Sequence, residues 1–140
     1  MIKPIDFSPQ VAQLLSDCAL KSDDVTPETH LLGSWDNEQL VGVVGLDVCE
    51  GLGLLRSLAV QPAARGQGLA VSLVREVELL AQSLAVSQVY LLTNTAANFF
   101  ARQGYQVMER TDAPLPIQST AQFSSLCPDS AVLMFKNDFE

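Results

Sequence analysis

The sequence predicts an α/β fold, a mixed and mostly antiparallel central sheet flanked by helices, in a single domain over residues 1–140. Three observations predict it. Up to Val60, apolar runs of strand length alternate with short polar turns, the spacing of a meander. After Gly68 the period changes, with apolar residues at 69, 70, 73, 74, 77, 80, 81 and 84, one stripe of a four-turn helix. Beyond it, strand-like and helical runs alternate to the C-terminus, the order of an α/β half.

Element by element, Ile2–Asp6 reads as a short first strand. Ser8-Pro9 then starts a helix, Ser8 as N-cap and Pro9 at the first helical position, with Val11, Leu14, Leu15, Cys18 and Ala19 at helical spacing. The polar stretch Lys21–Thr29 is a loop. Leu31–Trp35 and Leu40–Cys49 are strands joined by the hairpin connection Asp36-Asn37-Glu38-Gln39. Glu50-Gly51-Leu52-Gly53 is a second turn, and Leu54–Val60 a third strand. After the long helix come a buried strand, Val89–Thr93, and a shorter helix over about Thr95–Gln103 that Gly104 closes as a C-cap glycine. Tyr105–Arg110 alternates like a strand, Ile117–Leu126 has room for a helix, and Ala131–Lys136 is the last strand. No repeat, low-complexity tract or linker divides the chain.

Composition excludes several functions. With 48% apolar residues, the chain can bury a core without staples. No apolar run reaches the ~20 residues of a membrane span, and the N-terminus has no signal-peptide pattern, which points to the cytoplasm. Cys18, Cys49 and Cys127 are scattered, and His30 is the one histidine. That is poor material for a metal site or a disulfide framework, so no metal is expected. Cys18 and Cys49 read as buried thiols, while Cys127 falls in an irregular stretch. The net charge of −8 argues against nucleic acid and anionic membrane as partners. A small anion can still bind through main-chain N–H groups and a few placed arginines. An apolar share this high, with few charges, leaves room for a homodimer face.

The strand, Gly-rich loop and helix around Gly66 and Gly68 form such a place. Helix N-termini carry N–H groups without intrahelical partners, and the helix dipole is positive there. Gly66 and Gly68 let the chain turn tightly, Ala70 keeps the first helical turn open, and Arg65 supplies positive charge. The spacing is not GxGxxG and lacks Gly-Lys-Ser/Thr, which argues against a dinucleotide fold and excludes a nucleotide-triphosphate loop.

The run Arg65-Gly66-Gln67-Gly68-Leu69-Ala70, with Pro62 before it, resembles motif A of the GNAT N-acetyltransferases. Ala96–Tyr105, ending in Gly104-Tyr105, resembles their motif B. Tyr90–Thr95 with Phe99–Tyr105 is similar to amino-acid (glutamate-type) N-acetyltransferases. Leu55–Val60 and Ser125–Val132 are similar to the small arsenic-resistance-associated N-acetyltransferases. The resemblance covers roughly residues 38–136. It implies a GNAT-like sheet, acetyl-CoA as co-substrate and a small, amino-acid-like amine as acceptor, attacked in a ternary complex. Acetylation of a protein or peptide amine, and a non-catalytic acyl-CoA-binding module, are the alternatives.

The resemblance also implies roles for residues. A bulged strand equivalent to Leu54–Val60 would offer main-chain groups of Leu58, Ala59 and Val60 to pantetheine and the thioester carbonyl. Arg65, Gly66, Gln67, Gly68, Leu69 and Ala70 would hold the pyrophosphate; Asn98 and Arg102 read either as solvated surface residues or as contacts to the adenosine phosphate. The motif-B position that often carries a tyrosine acid is Phe100 here, which leaves Tyr105 or water for that task. Asp47 and Glu50 are the candidate bases, each equally readable as a solvated hairpin-end carboxylate. Arg56 interrupts an apolar strand, where a charge is costly unless paired or facing a cleft. It reads either as a fork for an acceptor carboxylate or as a salt bridge to the neighbouring strand. Ser57, Thr93, Asn94 and Ser130 are further acceptor-pocket candidates, although Asn94 or Thr95 also suits a helix cap.

Overall fold

The computed structural model describes residues 2–20, 22, 25–120, 123 and 131–137. The elements are β1 (Ile2–Ile5), α1 (Pro9–Asp17), β2 (His30–Asp36), β3 (Gln39–Cys49), β4 (Leu52–Val60), α2 (Leu69–Ser83), β5 (Gln88–Thr93), α3 (Ala97–Arg102), β6 (Gln106–Met108), α4 (Leu115–Gln118) and β7 (Val132–Lys136). The strands join one hydrogen-bonded sheet in the order β1-β2-β3-β4-β5-β7-β6. β4 and β5 run parallel; β1–β2, β2–β3, β5–β7 and β6–β7 are antiparallel. The sheet is therefore mixed and mostly antiparallel, as the spacing of apolar runs predicts. No described helix is long and apolar enough to cross a membrane.

By packing, the chain divides into two compact units, residues 1–47 with 55–80 and residues 48–54 with 81–140. In the first, the Ser8 hydroxyl accepts a hydrogen bond from the Val11 N–H at 3.4 Å and caps α1. Val11, Leu14 and Leu15 then bury one helical face against Leu31, Leu40, Val43 and Ala59. The β2–β3 hairpin turns on Asn37 and Glu38, with Asn37 in the left-handed region (φ 58°), which asparagine tolerates better than most residues. A Cβ at Gly42 would stand 3.0 Å from side-chain atoms of Leu69 and Leu73. The absence of a side chain on β3 thus lets the start of α2 lie directly on the strand. From there Leu73, Val74 and Val77 continue the buried stripe that the periodicity predicts.

In the second unit, Glu50 and Gly51 both adopt positive φ (51° and 79°), the signature of a two-residue hairpin turn between twisted strands. The turn is shorter than the four residues expected, so β4 begins at Leu52 rather than Leu54. Its first residues pair with β5 through Leu52↔Gln88, Gly53↔Val89 and Leu54↔Tyr90. β7 returns between β5 and β6, over the register Val89↔Lys136 to Thr93↔Val132. Leu54, Tyr90, Ala113, Ile117 and Leu133 form the core.

Three element expectations need correction here. The strand expected over Tyr105–Arg110 holds only Gln106–Met108, and Arg110–Asp112 is a 3₁₀ turn. Arg110 turns away to donate to the carbonyls of Ala131 (3.2 Å) and Phe123 (3.1 Å), its guanidinium 4.6 Å from the Phe123 ring centre. α3 starts at Ala97, later than expected, and neither Asn94 nor Thr95 caps it. The Thr93 hydroxyl instead accepts from the Ala96 N–H at 3.0 Å. The helix expected over Ile117–Leu126 is the single turn Leu115–Gln118, after which the Thr120 hydroxyl donates to the Ile117 carbonyl at 2.7 Å. Residues 121, 122 and 124–126 of that expectation, and Cys127 and Ser130, lie outside the described residues.

Tyr90 is buried, stacks on Phe135 with ring centres 6.1 Å apart and donates to the Gln88 side-chain oxygen at 2.7 Å. Burial raises its phenol above the ordinary value of 10.0. A raised folded-state value means that Tyr90 contributes fully to stability below pH 10 and progressively less as pH climbs past its folded-state value. Thermal midpoints measured from pH 8 to 11 should fall at the alkaline end, and the fall should be smaller in Tyr90→Phe. Tyr105 is the chain's one other tyrosine, so a phenolate absorbance titration of the same variant assigns the effect.

Candidate functional site

Between β4 and α2 the backbone changes character abruptly. Residues 61–65 are pinned: the Gln61 N–H donates to the Val41 carbonyl (2.9 Å), Ala64 to Gln61 (2.9 Å) and Arg65 to Pro62 (3.3 Å), around a 3₁₀ turn at Pro62–Ala64. Residues 66–70 are not. Among the described residues, no acceptor meets the N–H groups of Gly66, Gln67, Gly68, Leu69 or Ala70, and the first bond of α2 runs from the Ser72 N–H to the Gly68 carbonyl (3.1 Å). Gly66 and Gly68 lie at φ 81° and 79°, with open space within 4 Å of where a Cβ would stand. With Val71, which also precedes that bond, six main-chain donors cluster at the positive end of a 15-residue helix, an arrangement that suits a phosphate or diphosphate. A pocket of about 440 Å³ runs alongside, and of the expected loop residues Gln67 and Leu69 line it, with Trp35 and Ser72.

β4 leads into this loop by an irregular path. Its ladder with β5 ends at Leu54↔Tyr90, so the main chain from Leu55 to Val60 lies outside that ladder. Ser57 then takes φ 58° within the strand. For a residue with a Cβ this conformation costs on the order of 1–2 kcal/mol, and it breaks the pleat as a bulge does. Leu58 is half-buried, and Ala59 and Val60 are buried. The Val60 carbonyl accepts from Arg65 Nε at 3.0 Å and from the Cys18 thiol at 3.7 Å, while Arg65 Nη2 reaches Cys18 Sγ at 3.6 Å. One edge of the Arg65 guanidinium thus serves the protein, where the sequence suggests a charge for the anion. Cys18 was expected to be an ordinary buried thiol; it is half-buried at the C-cap of α1 and belongs to this contact. Cys49 is likewise half-buried.

Three of the expected polar residues, Asp47, Arg56 and Ser57, meet in a second cluster. Arg56 Nη1 lies 3.1 Å from Asp47 Oδ2, with the arginine side chain 1% accessible and the aspartate 30%. The Thr29 hydroxyl donates to Asp47 Oδ1 at 2.6 Å, and Arg56 Nε donates to the Ser57 hydroxyl at 3.2 Å. Of the two readings of Arg56, the inter-strand salt bridge is present. Asp47 is therefore no solvated hairpin-end group: both its oxygens are engaged, and part of its surface still faces solvent. Thr29 was not foreseen as a neighbour of Asp47, nor Cys18 as a neighbour of Arg65. Nothing in a lone threonine or cysteine distant in sequence signals such a partner.

The remaining expected residues belong to the second unit. Glu50 is exposed on its turn, Asn94, Asn98 and Arg102 are exposed, and Thr93 is committed to the backbone ahead of α3. Phe100 is buried, edge-on to both Phe99 (5.1 Å) and Tyr105 (5.7 Å). Tyr105 is buried too, with Lys136 Nζ 5.6 Å from its ring centre. Among the described residues no group of three or more His, Cys, Asp or Glu stands together as metal ligands would.

Comparison with known proteins agrees with this geometry. Residues 27–107, more than half of the chain, match the family model of the acetyltransferase (GNAT) domain. The class is that of an acetyl-CoA-dependent N-acetyltransferase. The chain belongs to the GNAT acetyltransferase family. Among solved structures it is similar to the Mycobacterium tuberculosis protein Rv2747, crystallised with CoA and a second ligand, at TM-score 0.80 and 23% identity over 99% of each chain. It is also similar to N-acetylglutamate synthase from Neisseria gonorrhoeae, complexed with coenzyme A and N-acetyl-glutamate. There the TM-score is 0.77 and the identity 18%, over 98% of this chain and 35% of that longer one. An aminoglycoside 6'-N-acetyltransferase complexed with coenzyme A matches at TM-score 0.73 and 16% identity, over 98% and 96% of the two chains. No curated protein matches significantly in sequence.

Substitution at the loop glycines tests the main-chain cradle. A methyl group at Gly68 meets no neighbour, so the penalty is conformational, about 1–3 kcal/mol for a strained φ. Gly68→Ala should weaken CoA binding about tenfold or more in isothermal titration, as the loop relaxes away from positive φ. An unchanged Kd would show that the amides are not the contact.

Proposed function

We propose that the chain transfers the acetyl group of acetyl-CoA to the amine of a small, amino-acid-like acceptor, by direct attack within a ternary complex. The observation that carries this reading is the run of uncommitted amides from Gly66 to Ala70, which fits the donor's diphosphate, just downstream of a kinked β4. On it, main-chain groups of Leu58 and Val60 receive the pantetheine arm and the thioester carbonyl. The Val60 carbonyl already serves Arg65. An amide donor aimed at the developing oxyanion contributes about 3 kcal/mol in other acyl-transfer sites. The amine nitrogen bonds to the carbonyl carbon, the C–S bond breaks, and the sulfur leaves as thiolate. The proton shed by the acylated nitrogen passes through water to that thiolate; a thiol value near 8.5 keeps thiolate release only roughly 2 kcal/mol uphill at pH 7.

The Arg56–Asp47 pair supports the acceptor class. Asp47, the partly accessible member, presents a carboxylate to an incoming ammonium, with Arg56 buried behind it to hold it in place. An incoming ammonium meets the accessible Asp47 first and loses its proton there or to water. The Neisseria N-acetylglutamate synthase, which holds an acetylated amino acid, is consistent with this choice.

Thiol release from acetyl-CoA across a panel of amino acids, aminoglycosides, polyamines and lysine peptides is the test. Turnover should concentrate on amino-acid-like amines; turnover confined to peptides, or CoA binding with no turnover, would count against the proposal. Arg56→Ala should raise the acceptor KM about 10- to 100-fold, the scale of a lost charged hydrogen bond, and leave the acetyl-CoA KM within about twofold. Equal effects on the two KM values would remove Arg56 from the acceptor site.

A further inference from the structure

We infer that Arg65 is a positioning residue that holds the end of β4, acting on the thioester end of the donor through Val60 rather than on the phosphates by its charge. The inference rests on the proposed donor site but names a role that site does not require. A motif arginine beside a phosphate loop would ordinarily be assigned to the phosphate. Its geometry here is different. Nε and Nη2 lie on one edge of the planar guanidinium, and both are spent: Nε on the Val60 carbonyl at 3.0 Å, Nη2 on Cys18 Sγ at 3.6 Å. The Cys18 thiol adds its own contact to the same carbonyl at 3.7 Å.

Three elements meet in this brace. Cys18 is fixed because its N–H closes the last turn of α1 onto the Leu14 and Leu15 carbonyls. Val60 is the final residue of β4 and is buried. Arg65 ends the pinned 61–65 segment, immediately before the run of amides that lacks a protein acceptor. The arginine therefore closes a short chain loop onto the strand from which it departs. Orienting the Val60 carbonyl fixes the peptide plane between Val60 and Gln61 and with it the direction in which β4 ends. That strand end must stay in place after the irregular step at Ser57. A change at Arg65 should be felt along the pantetheine, whether or not the donor carries a diphosphate.

The experiment compares two donors, acetyl-CoA and acetyl-pantetheine, which lacks the diphosphate and the nucleotide. Arg65→Ala should lower kcat/KM for both by similar factors of about tenfold, the scale of lost hydrogen bonds to a charged group, leaving their ratio within about twofold of wild type. Arg65→Lys keeps the charge but not the fork, and should fail to restore either donor. Cys18→Ala should lower both donors in the same proportion, by a smaller factor. A loss confined to acetyl-CoA, or full rescue by lysine, would overturn the inference and return Arg65 to the phosphate. Backbone amide exchange provides a reading independent of turnover: the N–H groups of Gln61, Ala64 and Arg65 should exchange faster in Arg65→Ala and in Cys18→Ala, and unchanged protection in both would also overturn it. Failure of the donor proposal itself looks different, since wild-type protein would then release no thiol from either donor.

Discussion

A backbone N–H can serve a ligand only if the fold has not already consumed it. The structure meets that constraint in a narrow window. Up to Arg65 the chain spends its amides on itself, through the bonds of Gln61, Ala64 and Arg65. From Gly66 to Ala70 it spends none among the described residues, and from Ser72 the helix consumes them again. Positive φ at Gly66 and Gly68 produces the window, because those angles turn successive N–H groups away from the acceptors a helix or strand would offer them. The irregularity of β4 is the same device on a strand. The parallel ladder stops at Leu54, and the kink at Ser57 interrupts the regular pleat.

Side chains around the window hold it in place. Arg65 and Cys18 converge on one carbonyl, Val60. Arg56 bonds to the Ser57 hydroxyl at the kink and to Asp47 across the sheet, and Thr29 holds the far oxygen of that carboxylate. A charge as deeply buried as Arg56 is a poor source of net stability, since desolvation offsets most of the attraction to its partner. Its presence in an apolar strand is better explained by what it orients.

Much of this was readable before any coordinates. The α2 stripe stands out because its period differs from the alternation around it, and the Ser8 cap because hydroxyl and proline occupy adjacent positions with one local purpose. The glycine loop was readable for a similar reason: positive φ narrows the choice of residue at the very positions involved. Elements set by distant contacts were not. β6 is cut short where Arg110 reaches carbonyls at Phe123 and Ala131, and that attraction leaves no trace in the local pattern of Tyr105–Arg110. The destination of Arg65 was hidden likewise. Its position beside the glycines suggests an anion, while its actual partner, Cys18, lies 47 residues away in sequence. The pairing of Asp47 with Arg56 lay between these cases, foreseen as one of two options for a charge in an apolar strand.

The net charge of −8 sets an unusual condition on a cradle built mainly from neutral amides. A polyphosphate donor approaching this surface is repelled at distances beyond the reach of hydrogen bonds and attracted only in the last few ångströms. Added salt screens the repulsion over a Debye length of about 8 Å near physiological strength but hardly touches contacts made inside the loop. Capture of the donor should accordingly become faster as ionic strength rises, the reverse of what a lysine- and arginine-lined phosphate site displays.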